Sequence, residues 1–396
     1  MTESNRGRAR VARKGRFAPD PNRGGVDADA LIVGAGPAGL ATAIALARRG
    51  CSALVIERRS APLDKACGEG IMPPGVRALE TLGVDLTALR AAPFAGVRFV
   101  EGTRAFEGRF ATGAGLGVRR SALSEALLGA ATRAGVETRF ACELGSWEER
   151  DGAVVADTAR GTVRARMLVG ADGLASGVRA RAGLALAGGA PRRFGVRRHF
   201  RIAPWSEWVE VHWGDGAEAY VTPVARDEVG VALLWHGDGG SYAALLARFP
   251  ALAARLADAE PTSDARGAGP FWQRARRRFV GRVALVGDAA GYTDAVTGEG
   301  ITLALRSAGA LADVIAAGAP LAEYEHAWRR LSRAHRAFAA LLGFGVAHPR
   351  PRRVAFAALA AAPNAFQALL RVAAGETAAE RVRYAAARAP GRPLAT

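Results

Sequence analysis

The hydrophobic positions of the chain form short apolar runs, and three of these runs lead directly into a glycine-rich polar turn. The runs cover residues 29–33, 166–170 and 281–286, and their turns cover 34–39, 170–173 and 287–291. A short apolar run bounded by turn residues predicts a buried strand, and a helix is predicted after each turn. Ligands of open α/β sheets bind beside the carboxyl ends of the strands, so the three turns together indicate a single binding site.

A different pattern, the alternation of side chains that is typical of β-strands, occurs within residues 194–235. It predicts an antiparallel sheet, which carries four of the seven tryptophans. Paired strands are also predicted at 96–100 and 104–110, whereas the chain from 320 onward has a helical pattern with a break at 349–351. The predicted fold class is α/β: a Rossmann-like domain with an inserted antiparallel β-sheet domain and a helical C-terminal region.

The first turn carries the most specific chemistry. Gly34, Gly36 and Gly39 form a G-x-G-x-x-G motif between a strand and a helix, which leaves bare backbone N–H groups at the positive end of that helix. Glu57 ends the next predicted strand, 23 residues after Gly34, at about the distance where an acid meets a ribose hydroxyl. The motif in this context predicts a dinucleotide site, whereas a simple glycine turn in a Gly- and Ala-rich chain is the alternative.

Composition and charge narrow the possible partners. The net charge is +17, but residues 1–26 contribute +5 and residues 329–396 contribute +10, which leaves the body of the chain nearly neutral. We therefore expect no nucleic-acid partner, a disordered basic tail over residues 1–26, and at most weak contact of the basic ends with a membrane surface. The three cysteines form no disulfide framework, and no secretory signal or membrane span is evident, so a cytoplasmic location is expected.

The three turns, taken in order, resemble those of the FAD-dependent oxidoreductase superfamily that holds aromatic hydroxylases, flavin halogenases and geranylgeranyl reductases. The stretch from Gly170 to Arg179, with Asp172, resembles the internal "DG" motif of that superfamily, and 287–290 resembles its second FAD motif. Arg120 matches the arginine of its R-x-x-L-x-x-x-L helix. The resemblance implies an FAD site built from Gly34, Gly36, Pro37, Ala38, Gly39, Glu57, Arg58, Arg120, Asp172, Asp288, Gly298, Glu299, Gly300 and Ile301.

The resemblance also divides the chain. An FAD-binding domain is expected over 27–93, 119–185 and 272–330, and a substrate domain over 94–118 and 186–271. A helical C-terminal region is expected over 331–396. By physical reasoning, Asp288 can accept hydroxyl hydrogen bonds from the ribityl chain, and the helix near Gly300 directs partial positive charge at the flavin ring.

The segment 65–71, with Cys67, together with 297–301 is most similar to the geranylgeranyl-reductase and halogenase side of the superfamily. That similarity makes Cys67 a candidate catalytic residue beside the flavin, although a small buried side chain is an equally good interpretation. Tyr220 is expected to face the flavin, because the superfamily has a strand there that ends in proline. Halogenation is disfavoured, since Arg77 stands where tryptophan halogenases have a catalytic lysine.

No second G-x-G-x-x-G motif lies at a strand–helix junction, so the reductant is expected to be transient NAD(P)H or an external electron donor. His199, His212 and His236 fit no metal spacing, and no metal site is expected. The first functional hypothesis is a monooxygenase, a hydroxylase or epoxidase, that acts on a small hydrophobic or aromatic substrate. A C=C reductase of an isoprenoid or polyene is the alternative, and a membrane-associated flavoprotein module is a third. The oligomeric state stays open.

Overall fold

The computed structural model describes residues 25–187, 193–237, 239–295, 298 and 300–376. Within these residues the strands are, in chain order, β1 (Ala28–Val33), β2 (Ala53–Glu57), β3 (Gly70–Ile71), β4 (Ala91–Phe94), β5 (Gly96–Glu101), β6 (Arg104–Arg109), β7 (Gly115–Val118), β8 (Glu137–Phe140), β9 (Leu144–Arg150), β10 (Ala153–Thr158), β11 (Gly161–Gly170), β12 (Ala185–Leu186), β13 (Arg193–Arg201), β14 (Trp208–Trp213), β15 (Ala217–Ala225), β16 (Glu228–His236), β17 (Glu260–Pro261), β18 (Arg266–Ala268), β19 (Arg274–Ala275), β20 (Phe279–Val280) and β21 (Val283–Leu285).

The described helices, again in chain order, are α1 (Pro37–Ala47), α2 (Pro73–Thr81), α3 (Arg120–Arg133), α4 (Gly177–Arg181), α5 (Tyr242–Leu246), α6 (Pro250–Arg255), α7 (Gly300–Ala316), α8 (Leu321–Ala347), α9 (Pro349–Ala361) and α10 (Pro363–Ala373), with a short 3-10 helix at Gly287–Ala290. Several begin with proline at the first or second helical position, where the missing N–H is not needed.

The first sheet is the predicted Rossmann-like one. Its strands follow the order β20-β21-β11-β1-β2-β8, with parallel pairing from β21 through to β8 and the antiparallel strands β9 and β10 attached to β11. The α1 helix packs against α3 and α7, and their small and aliphatic side chains join the sheet in one buried core. The three apolar runs of the sequence are therefore β1, β11 and β21, which lie side by side in the sheet.

The second sheet has the order β17-β13-β16-β15-β14-β5-β6 and is antiparallel except between β14 and β5. Side chains alternate along β15: Ala217, Ala219 and Val221 pack in a core on one face, whereas Tyr220 lies in a separate aromatic core on the other. A small three-stranded sheet, β3-β7-β4, lies in the segments that connect the two large sheets. The predicted fold class is confirmed.

The C-terminal helices pack against the second sheet, which lies in the predicted substrate domain and is called the substrate sheet below. Phe366 of α10 is fully buried between Phe99 of β5 and Phe106 of β6, with ring centroids 5.1 and 4.8 Å away. The domain boundary that the sequence predicts at 330/331 falls inside α8, which continues without a break. Its early residue Trp328 lies in the core of the FAD-binding domain and its later residue Phe338 in the aromatic core, so α8 joins the two domains.

Among the described residues, no single helix is long and apolar enough to cross a membrane. The α9 and α10 helices reach that threshold only as a pair, and the chain bends by 108° between them. The predicted disordered tail over residues 1–26 falls almost entirely outside the described residues.

The packing of α10 onto β5 and β6 can be tested by truncating its buried ring. We expect Phe366→Ala to lower the free energy of unfolding by about 3–5 kcal/mol, because it removes a fully buried aromatic side chain from a close-packed core. Urea denaturation followed by tryptophan fluorescence measures the change. Val372→Ala is the matched control, since Val372 lies on the same helix and is 62% exposed. Equal stability of the two variants would contradict the packing.

Candidate active site

The glycine turn after β1 is shaped by two contacts that leave no room for a side chain. Gly34 has φ +110°, and a Cβ atom on it would lie 2.5 Å from the carbonyl oxygen of Ala171, at the end of β11. A Cβ atom on Gly39 would lie 1.9 Å from the Gly34 carbonyl oxygen. The turn is thus pressed against both its own helix and the neighbouring strand, and Pro37 and Ala38 follow as the buried first residues of α1.

Gly36, the middle glycine, faces Arg120. The Arg120 Nη2 atom lies 3.7 Å from the position that a Gly36 Cβ would take, and Arg120 is only 8% exposed. Its Nη1 atom is buried and has no hydrogen-bond partner among the described residues. A buried guanidinium that lacks an acceptor is costly, so its position beside bare backbone and the N-terminus of α1 suits a diphosphate. These residues fit the pyrophosphate of FAD.

Glu57 is held at the edge of the same turn. Its carboxylate accepts hydrogen bonds from the backbone N–H groups of Ala35 and Arg59, each at 3.0 Å, so the side chain is fixed beside the nucleotide position. Arg58, the neighbouring predicted residue, is exposed. Contact of Glu57 with the ribose stays a prediction.

The Asp172 carboxylate accepts hydrogen bonds that the sequence does not reveal. One carboxylate oxygen accepts the Ser176 hydroxyl at 2.5 Å, and the other accepts the Val178 backbone N–H at 3.1 Å, so the side chain organises the start of α4. Arg179 of α4 then donates to the carbonyl oxygens of Asp288 and Ala289, at 3.3 and 3.1 Å. The "DG" turn is therefore fastened to the second FAD motif, and a direct contact of Asp172 with FAD stays a prediction.

Asp288 lies in the 3-10 helix after β21 and forms an ion pair with Lys65, whose Nζ is 2.9 Å from Oδ2. Both side chains are half-buried. Lys65 is not among the predicted site residues. Its rarity is the feature of the sequence that could have indicated a functional role, since the chain contains only two lysines against 52 arginines. Lys65 brings a cation to the position where Asp288 is predicted to meet the ribityl hydroxyls.

Cys67 lies in a loop that the substrate sheet holds in place. Its Sγ accepts the Glu69 backbone N–H at 3.3 Å, and the Thr222 hydroxyl donates to the Gly68 carbonyl oxygen at 2.8 Å. Desolvation by the surrounding protein raises the pKa of the Cys67 thiol, and the nearby Arg120 only partly opposes this effect. The thiol is therefore protonated at neutral pH, which disfavours a nucleophilic role.

Glu69 connects this loop to both domains. Its backbone has φ +60°, a strained conformation for a non-glycine residue, and its side chain is almost fully buried. One carboxylate oxygen accepts the Arg120 backbone N–H at 2.8 Å, and the other lies 2.6 Å from His199 Nε2. His199 thus makes a buried polar contact with Glu69, in which Arg197 also takes part, with its Nη1 3.2 Å from His199 Nδ1.

Tyr220 of β15, Phe271 and Tyr292 belong to one aromatic core, and these three residues are called the aromatic roof below. Tyr220 is buried, and burial together with the charge of Glu218 raises its pKa well above the ordinary value. The Phe271 and Tyr292 rings lie 5.7 Å apart, and Tyr292 is 3.4 Å from the place of a Gly300 Cβ at the start of α7. Tyr292 thus connects the aromatic roof with the N-terminus of α7, and the position of a flavin ring between this helix, Cys67 and Tyr220 stays a prediction.

The remaining predicted residues surround this region. Gly298 has φ +65° and approaches Met72, and Ile301 packs against the core of the FAD-binding domain. Glu299 lies outside the described residues. Arg77, at the position of the halogenase lysine, donates to the backbone and hydroxyl oxygens of Thr112, both at 3.1 Å. No group of three metal-ligating side chains occurs in the part of the chain that the structure describes.

Comparison with known proteins agrees with this geometry. A family model described as "FAD binding domain" matches residues 27–234, more than half of the chain. The ubiquinone hydroxylase UbiL of Rhodospirillum rubrum is 32% identical over 352 residues, which cover 78% of this chain and 80% of that protein.

Other relatives match over shorter stretches. The menaquinone reductase of Mycolicibacterium smegmatis is 47% identical over 57 residues, 14% of each protein. A 3-(3-hydroxy-phenyl)propionate/3-hydroxycinnamic acid hydroxylase of a Mycobacterium species is 32% identical, and the match covers 43% of this chain and 32% of that protein.

Solved structures share the fold at low sequence identity. A flavoprotein/dehydrogenase from Cytophaga hutchinsonii has a TM-score of 0.77 at 20% identity, with 88% of this chain and 92% of that chain covered. The probable FAD-dependent monooxygenase PqsL of Pseudomonas aeruginosa has a TM-score of 0.70 at 21% identity, with 83% and 99% covered. Since the family model spans more than half of the chain and the match to UbiL spans most of it, the chain belongs to the FAD-binding monooxygenase family and is an FAD-dependent oxidoreductase.

Proposed function

We propose that the protein is a monooxygenase that hydroxylates or epoxidises a small hydrophobic molecule, with flavin electrons drawn from transient NAD(P)H or an external donor. The observation that carries the proposal is the pairing of a dinucleotide site with an aromatic roof. Arg120 lies beside the glycine turn, and Tyr220, Phe271 and Tyr292 pack together in the aromatic core. The extended similarity to the ubiquinone hydroxylase UbiL supports the same class of reaction. The three free cysteines support a reducing, cytoplasmic location.

FAD, once reduced, supplies the chemistry of dioxygen activation and transfer of one oxygen atom to the substrate. The residues of this chain would bind and orient the cofactor and the substrate. Arg120 and the N-terminus of α1 would neutralise the diphosphate of bound FAD, and Glu57 would accept hydrogen bonds from its ribose. The N-terminal N–H groups of α7 would supply partial positive charge to the ring and so stabilise negative charge on it. The apolar roof excludes water from the reacting atoms, which favours oxygen transfer over loss of the oxidant to solvent.

The titratable groups near the Cys67 loop agree with a protein that binds and orients while the flavin supplies the chemistry. The Cys67 thiol is protonated at neutral pH, and Tyr220 and Tyr292 are buried phenols whose pKa values desolvation raises well above the ordinary value. Such groups can donate hydrogen bonds but do not readily release protons. The protein thus contributes mainly shape and electrostatic field to the proposed reaction, rather than a nucleophile.

Binding of FAD can be tested at the unpaired guanidinium. We expect Arg120→Met to weaken FAD binding by about 10- to 100-fold, because it removes charge-assisted hydrogen bonds to the diphosphate. The measurement is the flavin absorbance retained after purification, followed by a titration of the apoprotein with FAD. Arg133→Met is the matched control, because Arg133 is an exposed arginine in the last turn of the same helix. Wild-type affinity in Arg120→Met would contradict the diphosphate assignment.

The class of reaction can be tested with oxygen. We expect the reduced holoenzyme to convert neutral hydrophobic phenols or prenylated quinols only in the presence of O2, with one 18O atom from labelled dioxygen in the product, as mass spectrometry detects. Cys67→Ala should retain this activity, because a thiol that is protonated at neutral pH supplies no nucleophile. Anaerobic saturation of a prenyl C=C bond that is lost in Cys67→Ala would instead identify a reductase.

A further inference from the structure

A buried cluster of three charged residues lies in the roof, and the proposed reaction does not use it. Arg193 of β13 forms an ion pair with Asp294, Nη1 to Oδ2 at 2.7 Å, and a second with Glu218 of β15. All three residues are buried, and Glu218 is 0% exposed. One cation is thus shared by these two carboxylates.

The cluster lies on the face of the sheet that covers the cofactor loop. Side chains alternate along β15, so Glu218 shares its face with Tyr220 and Thr222, and the Thr222 hydroxyl binds Gly68 beside Cys67. Asp294 comes from the loop between Asp288 and α7, the two predicted flavin contacts. The cluster therefore borders the region in which the substrate would be enclosed.

Glu218 has an unused hydrogen-bonding atom in this position. The Oε1 atom of Glu218 is buried and has no hydrogen-bond partner among the described residues. The same holds for the indole N–H of Trp213, which pairs with Glu218 across β14 and β15. A buried carboxylate oxygen without a donor is destabilising, and such an atom at a site points to a ligand that donates to it. Burial, which outweighs the attraction of Arg193, raises the pKa of Glu218 to about 7, and the charge of Asp294 adds to the rise.

No other cation in this part of the described sheet is free to bind a carboxylate. Arg197 pairs with Asp64 at 2.6 Å, and Arg352 pairs with Glu101 at 2.7 Å. Burial and the nearby Arg193 lower the pKa of His236 to about 4, so its imidazole is neutral. The carboxylate of a ligand bound here would lie near the carboxylates of Glu218 and Asp294 and would find no available cation. Such repulsion between negative charges is strongly unfavourable in a desolvated site.

We propose that Glu218 recognises the substrate and that the Arg193–Glu218–Asp294 cluster selects an uncharged, hydroxyl-bearing apolar ring system over a ring that carries a carboxylate. The substrate hydroxyl donates to Glu218 Oε1, and the aromatic roof covers the rest of the molecule. This inference rests on the proposed function for the location of the substrate, and it adds the charge and polarity of the molecule that is accepted.

The test compares two probes of nearly equal shape, 2-naphthol and 2-naphthoate, which are titrated into the holoenzyme while flavin absorbance and tryptophan fluorescence are followed. Wild-type protein should bind 2-naphthol at least about ten-fold more tightly. Glu218→Gln should weaken 2-naphthol binding by about five-fold, because a neutral acceptor replaces a charged one. Glu210→Gln is the matched control, a buried glutamate on the opposite face of the same sheet that should bind both probes as wild type does.

The double variant Glu218→Gln/Asp294→Asn frees the Arg193 guanidinium and should reverse the preference towards 2-naphthoate. Because an uncompensated Arg193 can prevent folding, the wild-type preference and the single variant are sufficient to decide. Preference for 2-naphthoate, an unchanged Glu218→Gln, or failure of the flavin-loaded protein to bind either probe would overturn the inference. Selective binding of 2-naphthol by a protein that inserts no oxygen would leave the inference standing and overturn the proposed monooxygenase activity.

Discussion

The site depends on one close contact between backbones, that of the Gly34 turn with the end of β11. A side chain on Gly34 would collide with the Ala171 carbonyl oxygen, and one on Gly39 would collide with Gly34 itself. Because neither contact tolerates a Cβ atom, α1, β1 and β11 come together at a fixed spacing. That spacing brings the first turn next to the "DG" turn, which Arg179 fastens to the third turn at Asp288.

Buried polar residues around this contact differ in whether each of their hydrogen-bonding atoms has a partner. Glu69, although strained and buried, has a partner for each carboxylate oxygen, and this arrangement ties the Cys67 loop to both domains. Arg120 is also buried, but one of its nitrogens has no acceptor among the described residues, and Glu218 likewise keeps one oxygen without a donor. Unpaired buried polar atoms are destabilising, and we propose that a cofactor and a substrate supply the missing partners at these two positions.

Much of the fold was predictable from sequence because it depends on local pattern. The apolar runs that became β1, β11 and β21, the alternation along β13 to β16, and the helical C-terminal region all follow from side-chain periodicity. The aromatic contact of Phe366 with Phe99 was not predictable, because the two residues are distant in sequence and their pairing depends on how α10 returns to β5. The same limit explains why α8 crosses the boundary at 330/331 that the family resemblance implied.

For the site, the sequence by itself determined which turns bind a dinucleotide, because glycine spacing and strand–helix order are local properties with a direct steric cause. It also indicated Cys67 and Tyr220 as residues of one region. Only the tertiary structure decided that Lys65 reaches Asp288, that Asp172 organises α4, and that Arg193 is neutralised by two carboxylates from separate segments. Ion pairs and desolvation depend on distances between residues far apart in the chain, and those distances exist only once the sheets have packed.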